Sequence, residues 1–121
     1  MVRETPVTVV SLSPFLRAAK ALGLGEEEIQ EIETAIAYSP EDGDLIEGAG
    51  GIRKRRFAIP GRNKGKSGGV CIFTVFFHAE APVYILTLLD KSVAPNLSAN
   101  ERNELAGIAR RLRLALKGSE P

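Results

Sequence analysis

Two apolar runs separated by five residues constrain this chain more than any other feature of it. VCIFTVFF over 70–77 and VYILTLL over 83–89 are rich in β-branched and aromatic residues, so both read as strands. The first run is almost unbroken in its apolar character, which marks a central strand covered on both faces. The link between them, His78-Ala79-Glu80-Ala81-Pro82, is too short for a crossover, so the two strands form an antiparallel hairpin.

The remaining elements fall around that hairpin. TPVTVV over 5–10 reads as a short first strand, and Pro6 puts it at a sheet edge. Ser13-Pro14 then opens a helix, with Ser13 as cap and Pro14 at the first helical position, and Gly23 ends it. A second helix over 26–38 begins with three glutamates at its positive end and presents Ile29, Ile32 and Ile36 on one face. Ser39-Pro40 stops this helix, with Tyr38 expected to pack at its end. A turn over 41–44 leads to Leu45-Ile46 as a short extended entry, and the glycines between 48 and 51 allow a sharp bend. The last helix starts at a capping box, Ser98 with Glu101, and its Leu105, Ile108, Leu112 and Leu116 form an apolar stripe. Arg102, Arg110, Arg111, Arg113 and Lys117 lie around the rest of it as a solvated face. The expected architecture is α+β, in the order β-α-α-β-β-β-α. It is a small, mostly antiparallel sheet with an N-terminal helical hairpin and a C-terminal helix.

Charge is segregated along the chain, although the total is only +1. Arg53, Lys54, Arg55, Arg56, Arg62, Lys64 and Lys66 crowd into one stretch, and no acidic residue occurs between Glu47 and Glu80. Such a focused positive field suits a polyanion. Residues 52–59 also carry Ile52, Phe57, Ala58 and Ile59, so they read as a strand. Alternation then puts Lys54 and Arg56 on one face, and Arg53 and Arg55 on the other. Gly61-Arg62-Asn63-Lys64-Gly65-Lys66-Ser67 imitates a P-loop but is one residue short, with Pro60 where the first glycine belongs. It also runs into a strand rather than a helix, so nucleotide binding of that kind is excluded.

The order of these residues resembles a known family. Gly50-Gly51-Ile52-Arg53-Lys54-Arg55-Arg56, then Arg62-Asn63-Lys64-Gly65-Lys66-Ser67-Gly68-Gly69, then an apolar strand, is similar to toxins of the RelE/ParE superfamily. The likeness is greatest to the RelE/HigB-like branch of type II toxin–antitoxin systems. It continues through Lys91 and Asn96-Leu97-Ser98. The resemblance implies a toxin that enters the ribosomal A site and cleaves mRNA without a metal or other cofactor, by attack of a ribose 2′-hydroxyl on the adjacent phosphate. Such chemistry needs a base and positive charge on the phosphate. By the resemblance, Lys54 is the base and Arg56 the phosphate clamp. Arg53, Arg62, Lys64, Lys66 and Lys91 then position the RNA or ribosome. The implied partners are mRNA, the ribosome and a cognate antitoxin, a helix-turn-helix DNA-binding protein.

The chain departs from the family pattern at three places. Cys71 stands where an arginine is common, Thr74-Val75 where a tyrosine pair is common, and Ser92 where some relatives have an arginine. The expected toxin is therefore weakened. The alternatives are a member that binds RNA, the ribosome or an antitoxin without cleaving, and a ParE-type gyrase inhibitor. His78, the only histidine, is expected at a solvated strand end.

With 121 residues, 44% apolar and 26% charged, the chain reads as a single domain over 1–121. Cys71 is alone, which excludes an internal disulfide and leaves no Cys/His grouping for zinc. Nothing in the sequence is long and apolar enough to span a bilayer, and no signal-peptide pattern opens it, so a cytoplasmic location is expected.

Overall fold

The apolar hairpin is the middle of a five-stranded sheet. The computed structural model describes residues 2–58, 69–91 and 96–118. Its elements in chain order are β1 (Val9–Ser11), α1 (Ser13–Ala21), α2 (Glu26–Tyr38), β2 (Asp44–Leu45), β3 (Ile52–Ala58), β4 (Gly69–Phe76), β5 (Val83–Asp90) and α3 (Ala99–Gly118). The strand order is β1-β5-β4-β3-β2. Every pairing is antiparallel except β1 with β5, so the sheet is mixed and the fold is α+β. The expected order gains one strand, the two-residue β2.

β4 lies at the centre because its side chains have somewhere apolar to go on both faces. Val70 and Ile72 point into a cluster with Phe15, Ala19, Ile32, Ile36, Val83 and Ile85, beneath α1 and α2. Cys71, Phe73 and Val75 point the other way, into a cluster with Ile52, Leu86, Leu105 and Ala109 beneath α3. Two layers of helix therefore sandwich one sheet.

The helix ends follow local chemistry. α1 closes with Gly23 at φ 84, where its N–H reaches the Lys20 carbonyl and the Leu24 N–H reaches Ala19. That left-handed turn is what a glycine after a helix supplies. The Gly25 N–H at the start of α2 donates to Glu28 Oε1 at 2.9 Å. α3 opens on the expected capping box: the Ser98 N–H donates to Glu101 Oε1 at 2.8 Å, and the Glu101 N–H donates to Ser98 Oγ at 3.1 Å.

Two expectations at the N-terminus are corrected. The first strand is Val9–Ser11 rather than 5–10, because the Arg3 and Val7 amides are taken by the Tyr38 and Ala37 carbonyls at the end of α2. This segment satisfies carbonyls a helix leaves open, instead of extending the sheet. Ser13 is not the cap of α1. Leu12 holds that position with an extended backbone, since its N–H still bonds the Ile85 carbonyl in the sheet, and no side chain caps the helix.

Candidate nucleic-acid interface

Strand β3 carries the basic residues, and its register decides which way each one points. Lys54 pairs opposite Phe73 and Arg56 opposite Cys71, so both share the α3 side of the sheet. Arg53 and Arg55 pair opposite Thr74 and Ile72 and take the other face.

The two faces use their cations differently. The Arg55 guanidinium donates to the Ser39 carbonyl at 2.8 Å, lies 3.9 Å from Asp42, and stacks 4.7 Å from the Phe57 ring centroid. Burial lowers its pKa from the ordinary arginine value, and the Asp42 charge acts in the opposite direction. Arg53 donates to the Gly43 carbonyl at 3.1 Å. Both arginines thus tie the α2–β2 connection to β3. Gly43 makes that approach possible: it has φ 110, and a Cβ there would lie 2.7 Å from the Lys54 carbonyl oxygen. On the other face, no hydrogen bond or ion pair among the described residues engages Lys54 or Arg56. Arg55→Ala is accordingly expected to lower stability by about 1.5–3 kcal/mol, the range for hydrogen bonds to a charged group. Lys54→Ala and Arg56→Ala are expected to change it by about 0.5 kcal/mol or less, as surface substitutions do. Urea unfolding of the three variants checks this contrast.

Folding also changes the charge picture that the sequence presents. The basic stretch has no acidic neighbour along the chain, yet β2 brings Asp44 opposite Lys54 and the preceding turn brings Asp42 to Arg55. Asp44 moderates the charge of Lys54 at the outer edge, while the charges acting on Cys71 in β4 are those of Lys54, Lys91 and Arg56.

Cys71 marks the centre of that positive region. It is buried, and burial pushes its thiol above the ordinary value, while the charges of Lys54, Lys91 and Arg56 pull it down. Three of the expected site residues therefore act on the same side chain. A β-bulge is responsible for the third. Phe73 pairs with Thr87 but Thr74 pairs with Ile85, so Leu86 is an extra residue in β5. The extra residue reverses the alternation beyond it, placing Leu89 on the α3 side opposite Cys71, with Lys91 directly after the strand.

A cleft of about 340 Å³ opens on this face, lined by Ile46, Lys54, Phe73, Asn96, Leu97 and Arg102. Arg102 is exposed, as expected of a solvated helix face, and it lines this cleft together with Lys54. It stands in the first turn of α3, three residues before the buried Leu105. Arg113 stacks 4.6 Å from the Phe77 ring centroid. Arg110, Arg111, Arg113 and Lys117 are exposed as well, as expected.

Arg62, Lys64, Lys66 and Ser92 lie outside the described residues. His78 is exposed in the β4–β5 turn, where its Nδ1 accepts the Glu80 N–H at 3.3 Å, at the opposite end of β4 from Cys71. No group of three His, Cys, Asp or Glu residues is placed to hold a metal ion among the described residues. No helix among them is long and apolar enough to cross a membrane.

No protein-family model matches the sequence. Among solved structures, the chain is similar to the E. coli toxin RelE, determined as an arginine-to-alanine double mutant in the free state. The two share 14% sequence identity and a TM-score of 0.48, over 74% of this chain and 88% of that one.

Proposed function

We propose that this protein is a translation-inhibiting toxin of the RelE/HigB-like branch, directed at mRNA in the ribosomal A site. In this reading it acts in the cytoplasm and is restrained by an antitoxin of the helix-turn-helix class. The observation that carries the proposal is the sorting of charge on β3. Lys54 and Arg56 stand side by side on an open face with Lys91 nearby, while Arg53 and Arg55 are engaged within the fold. A strand whose cations on one face have no hydrogen-bond or ion-pair partner among the described residues is suited to a phosphodiester backbone.

The proposed chemistry uses the two residues in different ways. Lys54 takes the proton of a ribose 2′-hydroxyl as that oxygen bonds to the adjacent phosphorus. Arg56 offers its planar fork to the negative oxygens of the pentacovalent phosphate. The bond to the 5′-oxygen breaks, and that oxygen takes a proton from water, leaving a cyclic phosphate. Arg62, Lys64 and Lys66 hold the backbone on either side, as the resemblance implies, and Arg53 contributes from the other face by anchoring the turn at Gly43.

Cys71 favours a second reading within the same class. It occupies the β4 position opposite Arg56 with a buried neutral thiol, which cannot grip phosphate oxygens as a guanidinium does. A protein that occupies the ribosome and cleaves slowly fits this arrangement. Both readings are tested in a bacterial cell-free translation extract. Added protein should reduce synthesis in proportion to dose, Lys54→Ala combined with Arg56→Ala should remove most of that effect, and a bound antitoxin should restore synthesis. Unchanged synthesis with the wild type, or equal inhibition by the double variant, counts against the proposal.

A further inference from the structure

We propose that the cleft between β3, β4 and the start of α3 is a single-nucleotide subsite in which Arg102 and Lys54 together hold one phosphate. The inference deepens the RNA-directed reading above, and rests on it for the identity of the larger ligand. Its basis is the composition of the cleft wall. Lys54 and Arg102 both line it, and no carboxylate does. Two carboxylates stand close in sequence or register, and each is turned to another task or position. Glu101, next to Arg102, accepts the Ser98 N–H at 2.8 Å as part of the helix cap. Asp44, opposite Lys54 on β2, is not among the lining residues. Among the described residues, no hydrogen bond or ion pair engages the Arg102 or Lys54 side chain.

Two cations line this concave site with no carboxylate in its wall, so their mutual repulsion there is relieved by an anion. The site is not a general anion trap, because Ile46, Leu97 and Phe73 form the rest of the wall. Apolar surface beside a cationic pair matches a nucleoside phosphate: a flat, weakly polar base joined to a dianion. The volume of about 340 Å³ is at the small end of ligand pockets, and suits one nucleotide rather than a base-paired segment. Asn96 adds an amide, which can both donate to and accept from a base edge. Arg102 reaches this position because the capping box fixes the first turn of α3, and Leu105, one turn on, is buried against the sheet.

The test is a titration of the free protein with adenosine 3′-monophosphate, followed by chemical-shift changes. Saturable shifts are expected at Leu97, Asn96 and the Arg102 side chain. Arg102→Gln and Lys54→Gln should each weaken binding about tenfold, the scale of one charge-assisted contact. Arg102→Lys should recover part of the loss, since it keeps the charge but not the fork. Arg110→Gln, on the exposed side of α3, should bind as the wild type does. Adenosine without the phosphate should bind at least about tenfold more weakly if the cations carry the interaction. Wild-type binding by Arg102→Gln, equal binding of adenosine, or no saturable shift at these residues overturns the subsite. The outcome is separable from that of the toxin reading. If the nucleotide binds in this pattern while the protein leaves cell-free translation untouched, the subsite stands and the toxin reading falls. If translation is inhibited through Lys54 and Arg56 but Arg102→Gln binds the nucleotide normally, the subsite falls and the toxin reading stands.

Discussion

Cys71→Arg is expected to raise ribosome-dependent mRNA cleavage by about two to three orders of magnitude, the usual worth of one well-placed donor to a developing anion. The register supports the change. Residue 71 faces the α3 side, opposite Arg56, and its thiol already lies within the fields of Lys54, Arg56 and Lys91. The position is only 4% exposed, so an arginine must extend past Leu89 and place its head at the surface between those cations. Some stability is lost in doing so, because three positive charges already surround the site. Cleavage is read by primer extension on ribosome-bound mRNA. Adding Lys54→Ala to the Cys71→Arg chain should abolish the gain. A gain that survives loss of Lys54 would remove that residue from the role of base, and no gain at all in a folded variant would remove Cys71 from the site.

The second large effect concerns the fold that holds β3 in place. Phe15→Ala is expected to cost about 3–5 kcal/mol, as large-to-small changes of buried aromatics do. Phe15 is fully buried and packs α1 against β4 and β5 with Ala19, Ile36, Val83 and Ile85. Nine residues of helix have little stability of their own, so α1 depends on this contact. Typical domains hold only about 5–15 kcal/mol in total, which makes the loss a large fraction of what is present. Leu16, its neighbour, is 42% exposed, and Leu16→Ala should cost about 1 kcal/mol or less. Chemical denaturation of both variants compares them directly. Similar midpoints would contradict the packing described for α1.

Much of this arrangement was legible in the residues because period alone decides it. An apolar run such as that of β4 admits few placements, and a strand through Arg53, Lys54, Arg55 and Arg56 must divide them between two faces. The helices at 26–38 and from 99 onward announce themselves by stripe and cap. What escaped was set by contacts remote in sequence. Nothing in TPVTVV says that the Arg3 and Val7 amides will meet the end of α2, or that Leu12 will stay in the sheet through Ile85. The bulge at Leu86 left no local trace either, since VYILTLL contains no glycine, proline or charge to mark it. Yet it is this bulge that sets Leu89 and Lys91 on the side of Lys54. The meeting of Asp44 with Lys54 and of Arg102 with the same cleft depended on a two-residue strand and a helix start, both defined by tertiary pairing rather than composition.

The central claim, that the Lys54 face binds RNA on the ribosome, is tested most directly by measuring ribosome binding as a function of salt. Logarithmic affinity should fall steeply and linearly with the logarithm of salt concentration, because each phosphate contact with single-stranded RNA releases about 0.7 of a counterion. Replacing Lys54 and Arg56 together with alanine should reduce that slope by roughly 1.4, two contacts at about 0.7 each, and weaken binding at every salt concentration. The protein should remain folded throughout, since no hydrogen bond or ion pair among the described residues holds either side chain. A slope unchanged by the double replacement, or binding that does not respond to salt, would contradict the account.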